Sequence, residues 1–289
     1  MKKFAVLLVV LSGVLWGTSA IFTTELKKFG FDALNIAFMR NTVAAICMII
    51  FALVTKRDKL KISPKQILLC LLVGVTLYGN GAFYYAAMSH ISISIAVVLL
   101  YIAPAVVTVY SVIVFKEKFT IGKGIAVAMV IVGTALVAGI VGDIKLSAFG
   151  LFLGFMSGIS YSIYNIGIKY QMKNGDNPVV ATAYAFMISA LLSAIIGKPA
   201  QTAQILSANF QSAILWCALL GIVTAALPYF IYTYAMKKLP AGVTTSLGCV
   251  EPMTASIISF TIYGETISVY SIAGIVLILA SVILLSKDE

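Results

Sequence analysis

Two stretches of this chain, YYAAMSHISISIAVVLLYIAP at residues 84–104 and YTYAMKKLPAGVTTSLGCVEP at residues 232–252, share the spacing of their landmark residues. In each stretch an Ala-Met pair is followed, sixteen residues after the methionine, by a proline: Pro104 in the first and Pro252 in the second. The two stretches are 148 residues apart. Self-similarity at a fixed offset indicates that the fold is assembled from copies of one unit.

The repeat extends along the whole chain. At the offset of 148 residues Glu117 also matches Glu265, each thirteen residues after its proline. Near the N-terminus the offset is 145 residues, and the matches are Ser12-Gly13 with Ser157-Gly158, Trp16 with Tyr161, and Gly30 with Gly175. We therefore predict two units, residues 1–140 and 147–289.

The composition predicts an all-α membrane protein. Hydrophobic residues make up 61% of the chain and charged residues 10%, whereas soluble domains carry roughly 25% charged residues. A helix that crosses the hydrocarbon core needs about 20 mostly apolar residues. The apolar runs predict ten transmembrane helices, five in each unit: residues 4–22, 33–54, 66–88, 92–115, 121–140, 147–168, 179–197, 213–236, 242–262 and 267–286.

The positive charge is a topology signal. Most lysines and arginines fall in the loops that share a side with the N-terminus, such as Lys56-Arg57 and Lys237-Lys238. Because cytoplasmic loops carry this excess, both termini are predicted to be cytoplasmic. The basic loops are expected to contact anionic lipid headgroups, and the net charge of +10 gives no reason to expect a nucleic-acid partner. An odd number of helices per unit makes the two repeats inverted, an arrangement typical of secondary transporters.

Metal, cofactor and enzyme chemistry are not expected. The four cysteines have no metal-ligand spacing, and His90 is the single histidine of the sequence. The chain has no phosphate-binding loop motif and no Ser/His/Asp set. A membrane-embedded enzyme is the weakest of the functional readings.

Several motifs resemble those of a known family. They are Leu15-Trp16-Gly17-Thr18-Ser19 in the first helix, Arg40 in the second, Pro104 with Lys116-Glu117, and Glu251-Pro252 with Gly264-Glu265. Together they are similar to the EamA-type drug/metabolite transporter superfamily, and the overall pattern looks like its Lic-type choline permease branch. The resemblance implies two repeats, secondary transport, and a bacterial inner or plasma membrane location.

Glu251 is the leading candidate for the transport site. An ionisable residue deep in a span is costly, so it is a functional candidate by default, and Pro252 frees backbone carbonyls beside it. We predict that Glu251 contacts substrate and binds the coupling proton. Arg40, Pro104 and Pro252 are assigned gating or structural roles, and Lys169 the role of an interfacial anchor.

Aromatic residues at mid-membrane depth complete the predicted substrate site. Tyr and Trp usually gather at interfaces, and their polar atoms need partners when buried. The candidates are Trp16, Tyr78, Tyr101, Tyr161, Tyr164, Tyr229 and Tyr232.

An aromatic pocket with one carboxylate suits a quaternary ammonium ion, which is recognised through π-faces. The sequence therefore predicts uptake of choline or a related compound by alternating access, with protons as the coupling ion. The alternative on the same fold is an exporter of amino acids or of drugs and metabolites.

Overall fold

A computed structural model of the chain describes residues 2–91, 93–138, 147–264 and 268–288. All regular structure in these ranges is helical. Glu265 and the predicted helix limits at residues 92, 140 and 267 lie outside the described residues. The α-helices are α1 Lys2–Gly17, α2 Ser19–Lys28, α3 Ala33–Thr55, α4 Pro64–Met88, α5 Ile93–Leu100, α6 Ala103–Ile113, α7 Ile121–Val137, α8 Ala148–Lys173, α9 Pro178–Ile196, α10 Pro199–Ala208, α11 Phe210–Gly221, α12 Leu227–Met236, α13 Ala241–Gly248, α14 Val250–Tyr263 and α15 Val269–Asp288.

Local sequence explains where several helices begin. Ser63 and Gln66 form a reciprocal capping box at the start of α4, with Pro64 in its first turn. Asp32 and Asn35 form the same device at α3. These side chains satisfy backbone N–H groups that have no partner within the helix.

Eight helical stretches in the described part of the chain are long and apolar enough to cross a membrane. The stretch 210–236 includes the π-helical turn Ile222–Ala226 between α11 and α12. The helix α7 is shorter, and α13 and α14 are separated by a break at Cys249. Large apolar side chains such as Leu7, Val54 and Ile113 are exposed, as lipid-facing positions would be.

The main departures from the sequence prediction are breaks and one added helix. The first stretch continues to Lys28 with a break at Thr18, which lies inside the predicted helix 4–22. The short helix α10 lies between two predicted spans, where sequence analysis assigned no helix. Its Thr202 accepts a hydrogen bond from Asn35 of α3 at 3.0 Å, so tertiary contact fixes this connection.

The backbone reproduces the sequence repeat. Gly30 and Gly175, which match each other in the repeat, both have positive φ, at 91° and 85°. Lys116 and Gly264, another matched pair, both have left-handed φ, at 53° and 67°. The helix breaks at Tyr101 and Cys249 also fall at equivalent positions of the two units. In each break a proline follows three residues later, and its missing N–H leaves a carbonyl of the preceding turn without a helical donor.

Helix packing follows the same symmetry. The helix α1 packs on α12 and α14, and α8 packs in the equivalent way on α4 and α6. Two of the most extensive contacts join equivalent helices, α3 with α9 and α7 with α15. Close approach requires glycine: a Cβ on Gly13 of α1 would lie 2.9 Å from the Gly248 carbonyl oxygen, and one on Gly158 of α8 would lie 2.9 Å from Ile102 Cγ1.

Candidate functional site

Glu251 lies in the first turn of α14, directly after the helix break. The Tyr101 hydroxyl donates a hydrogen bond to Glu251 Oε2 at 3.1 Å. Tyr101 occupies the equivalent break between α5 and α6, and it packs in one cluster with Cys249. The two broken helices therefore bring the predicted acid and one predicted tyrosine together.

A cavity of about 460 Å³ extends from Glu251 along α14; we call it the large cavity. Among the described residues, its wall contains one carboxylate, three aromatic rings and three serine hydroxyls. The lining residues are Tyr84, Val97, Leu100, Tyr101, Val137, Ala138, Glu251, Pro252, Ala255, Ser256, Ser259, Phe260 and Ser271. This composition, mainly apolar with a few convergent polar groups, is typical of a small-molecule site.

The large cavity runs toward one end of the helix bundle. Val137 and Ala138 lie at the end of α7, and Ser271 lies in the first turn of α15. Glu251 is only half-buried and so remains accessible from the cavity.

Five of the predicted aromatic residues form a second feature, the aromatic cluster, which is buried. The Trp16 ring lies 4.9 Å from that of Tyr229 and 5.2 Å from that of Tyr232, between centroids. Tyr164 lies 5.8 Å from Tyr229 and stacks on Tyr161 at 6.4 Å. These rings pack on one another and do not line the large cavity.

The aromatic cluster adjoins Glu251 through the backbone of α13. A Cβ on Gly248, three residues before Glu251, would lie 3.5 Å from the Trp16 ring and 3.8 Å from the Tyr161 hydroxyl. The Tyr232 hydroxyl donates to Asn165 Oδ1. Within the described part of the chain, Trp16 Nε1 is buried without a hydrogen-bond partner.

Arg40 reaches inward from α3. Its Nη2 donates to the Thr224 carbonyl oxygen at 2.7 Å and its Nε to Thr224 Oγ1 at 3.2 Å. Pro228, four residues after Thr224, has no N–H to donate to that carbonyl, so the guanidinium supplies the missing donor. Arg40 Cζ also lies 5.7 Å from the Tyr229 ring centroid.

The other predicted residues are placed differently. Tyr78 is half-buried in α4, and no ring contact among the described residues includes it. Pro252 lines the large cavity, and Pro104 lies in the first turn of α6. Lys169 is buried, and its Nζ donates to the Met236 and Leu239 carbonyl oxygens. The prediction of an interfacial anchor for Lys169 is wrong, because its ammonium is buried and is bound by the carbonyls of Met236, the last residue of α12, and of Leu239 just beyond it.

Sequence reasoning missed Tyr84 and Asn165 as site residues. Tyr84 lines the large cavity beside Glu251. The repeat carries a signal for Tyr84, because this residue matches Tyr232 of the second unit. Asn165 gives no comparable signal, since its role depends on which helix α8 faces.

A small pocket, about 10 Å³, lies among α6, α7 and α13. Several of its lining residues correspond, through the sequence repeat, to residues that line the large cavity. The pairs are Thr108 with Ser256, Ser111 with Ser259, Val112 with Phe260, Lys123 with Ser271, and Leu285 with Val137. The surface of α14 thus borders an open cavity, whereas the equivalent surface of α6 borders a pocket that is nearly closed.

Comparison with known proteins agrees with this architecture. The sequence model described as the EamA-like transporter family matches twice, at residues 3–139 and 148–287. A protein of Archaeoglobus fulgidus named "Uncharacterized transporter" is 27% identical over 280 residues, covering 97% of this chain and 95% of its own length. One of Clostridium kluyveri with the same name is 24% identical over 307 residues, covering 100% and 95%.

A solved structure titled "Crystal structure of protein" has the same fold, with a TM-score of 0.80 at 16% identity, covering 98% of this chain and 96% of that one. The two matched repeats cover nearly the whole sequence. The chain therefore belongs to the EamA-like transporter family.

Proposed function

We propose that this chain is a secondary active transporter that takes up choline or a related quaternary ammonium compound by alternating access. The observation that best supports this proposal is that the large cavity beside Glu251 is open, whereas the equivalent small pocket of the first repeat is closed. The proposed topology has ten spans, formed by two inverted five-helix repeats, with both termini on the cytoplasmic side of a bacterial plasma membrane. The excess of lysine and arginine in loops on the N-terminal side supports this orientation.

In this orientation the large cavity faces the outside. The chain enters the membrane at α1 and crosses it with each successive span, so the ends of α7 and α14 that line the cavity lie on the outer side. The small pocket, next to Glu117, lies on the cytoplasmic side. Exchange of the open and closed conformations between the repeats would carry the site from one side to the other, as inverted repeats permit.

The chemistry of the large cavity suits a cation without N–H donors. Glu251 supplies the single described carboxylate of the wall, and Tyr84, Tyr101 and Phe260 supply π-faces. A cation over an aromatic face gains about 2 kcal/mol or more when it is desolvated. Trp16, Tyr161, Tyr164, Tyr229 and Tyr232 stand behind Glu251 as the next layer, and Tyr78 stays a candidate on the path. We assign proton coupling to the same acid, which would exchange a proton for the cationic substrate.

A zwitterionic amino acid is the second candidate, and Arg40 is the observation that favours it. Its guanidinium lies 5.7 Å from the ring centroid of Tyr229, in the aromatic layer behind Glu251. A guanidinium and a carboxylate that both reached the substrate would match the carboxylate and the ammonium of a zwitterion. The amino-acid exporter reading therefore stays open on this geometry.

Ligand binding to the detergent-purified protein separates the two. Choline, lysine and a neutral amino acid are compared by isothermal titration calorimetry and by the shift in thermal unfolding. Selective binding of choline, retained in Arg40→Gln, supports the organic cation. Binding of an amino acid that Arg40→Gln abolishes refutes the choline assignment and leaves transport on this fold intact.

A further inference from the structure

The small pocket contains two hydroxyls that have no described partner. Thr108 Oγ1 and Ser111 Oγ are buried and accept or donate no hydrogen bond among the described residues. Their repeat counterparts, Ser256 and Ser259, line the large cavity. A buried hydroxyl without a partner is costly, so this surface is better suited to a hydrated state than to the closed one.

Glu117 lines the small pocket at the C-terminal end of α6. It follows α6 and lies beside Lys116, whose left-handed φ of 53° turns the chain back. The Glu117 carboxylate accepts hydrogen bonds from the backbone N–H of Ala241, at 3.2 Å to Oε2 and 3.4 Å to Oε1. Ala241 is the first residue of α13, where the helix dipole favours a negative charge.

Lys169 ties the same carboxylate to a third helix. Its Nζ lies 3.6 Å from Glu117 Oε1 and donates to the Met236 carbonyl oxygen at 3.1 Å. The side chains of Lys169 and Glu117 are only 10% and 16% exposed. Glu117 therefore joins α6 to α8 and α13 in a setting where salt and water screen the attraction weakly.

The helices α6 and α13 are also tightly packed next to Glu117, at Thr108 and Gly242. A Cβ on Gly242 would overlap the Thr108 side chain and lie 2.9 Å from its Cα. The backbones of α6 and α13 are thus in contact, and α13 must move away before the pocket can fill with water.

We infer that Glu117 is the latch of a cytoplasmic gate, and that its release from Ala241 and Lys169 opens a cavity in which Thr108 and Ser111 contact the departing substrate. This inference rests on the proposed alternating access and adds the residues that hold one side shut. The gate is independent of which substrate the large cavity binds.

Cysteine labelling tests the latch without any substrate. In a background lacking the four native cysteines, Ser111→Cys reports on the small pocket and Ser259→Cys on the large cavity. A membrane-impermeant maleimide is applied to right-side-out and to inside-out vesicles. With Glu117 present, Ser259→Cys reacts from the outside and Ser111→Cys is protected.

Glu117→Gln is expected to raise labelling of Ser111→Cys from the cytoplasmic side roughly tenfold, the factor that losing a hydrogen bond to a charged group produces. Labelling of Ser259→Cys should fall in the same variant. Gly242→Ala, which wedges α13 away from α6 without touching a charge, should act in the same direction. Asp176→Asn is the matched control, since it removes a carboxylate charge on the same side, where Gln66 binds it at 2.7 Å.

If Ser111→Cys stays protected in folded Glu117→Gln and Gly242→Ala, the latch is refuted. It is also refuted if Ser111→Cys is labelled from the same side of the membrane as Ser259→Cys. Failure of choline binding with labelling as expected refutes the proposed substrate only. Size-exclusion profiles identify any variant that misfolds, and Lys169→Met then provides a further release of the same contact.

Discussion

Replacing Glu251 with Gln removes one charge from the large cavity and little else. Glutamine keeps the shape of the side chain and can still accept the hydrogen bond that Tyr101 donates at 3.1 Å. Any change in cation affinity therefore reports the charge. A cation about 4 Å from the carboxylate gains about 4 kcal/mol at an effective dielectric constant of 20 and about 1 kcal/mol in bulk water.

The large cavity, at about 460 Å³, has room for water beside a small substrate, so both limits apply. The affinity for choline should fall roughly fivefold to several-hundredfold, since about 1.4 kcal/mol is tenfold. Calorimetric titration of purified Glu251→Gln measures this loss. Glu25→Gln, which removes a partly exposed carboxylate that pairs with Lys28 at 2.6 Å, is the control.

An affinity within twofold of the wild type in folded Glu251→Gln would refute the assignment of Glu251 as the counter-charge. The same result from transport assays, with unchanged pH dependence, would refute its role in proton coupling. A loss that Glu25→Gln shares would point instead to a general effect of protein charge on cation accumulation at the surface.

Two further predictions concern packing and surface charge. Gly158→Ala should lower the thermal unfolding temperature, because its Cβ would overlap the Leu99 carbonyl oxygen and overpacking costs about 1–3 kcal/mol. The control Gly81→Ala, with nothing within 4 Å of its Cβ, should be neutral or stabilising. Equal unfolding temperatures for the two variants would contradict the close contact between Gly158 and Leu99. The hydrogen bond from Lys198 holds the pKa of the Asp32 carboxyl below its usual value. The ion pair therefore stabilises the fold above the unfolded-state pKa of about 4, and this stabilisation is lost as the pH falls through the lowered pKa. Wild-type thermal stability should therefore drop below about pH 4 more steeply than that of Asp32→Asn, and parallel profiles would contradict the ion pair.

Hydropathy and repeat spacing are properties of the sequence, and they predicted most of the fold. The apolar runs and the match between Pro104 and Pro252 predict helices of bilayer length in two copies. The structure places helix breaks at the equivalent positions Tyr101 and Cys249. The sequence signal is strong here because each helix satisfies its own backbone hydrogen bonds, whatever its neighbours.

The sequence did not predict which face of each helix packs against protein and which faces lipid. In apolar spans the side that meets protein and the side that meets lipid have similar composition. The sequence therefore grouped Trp16 and Tyr101 in one site, whereas the structure buries Trp16 in the aromatic cluster and leaves Tyr101 on the large cavity. It also assigned Lys169 to the interface, whereas the carbonyls that hold it belong to Met236 and Leu239, far away along the chain.

The helical repeat, the few ionisable residues within spans and the bias of basic loops can be read from the amino-acid sequence. Tertiary contacts are needed to establish that one repeat is open at Ser256 and Ser259 while the other is closed at Thr108 and Ser111. Two similar halves carry similar local preferences, so the sequence of either half cannot specify which one opens. That choice depends on contacts between the repeats, such as the one between Glu117 and Ala241, which exist only after the halves have packed together.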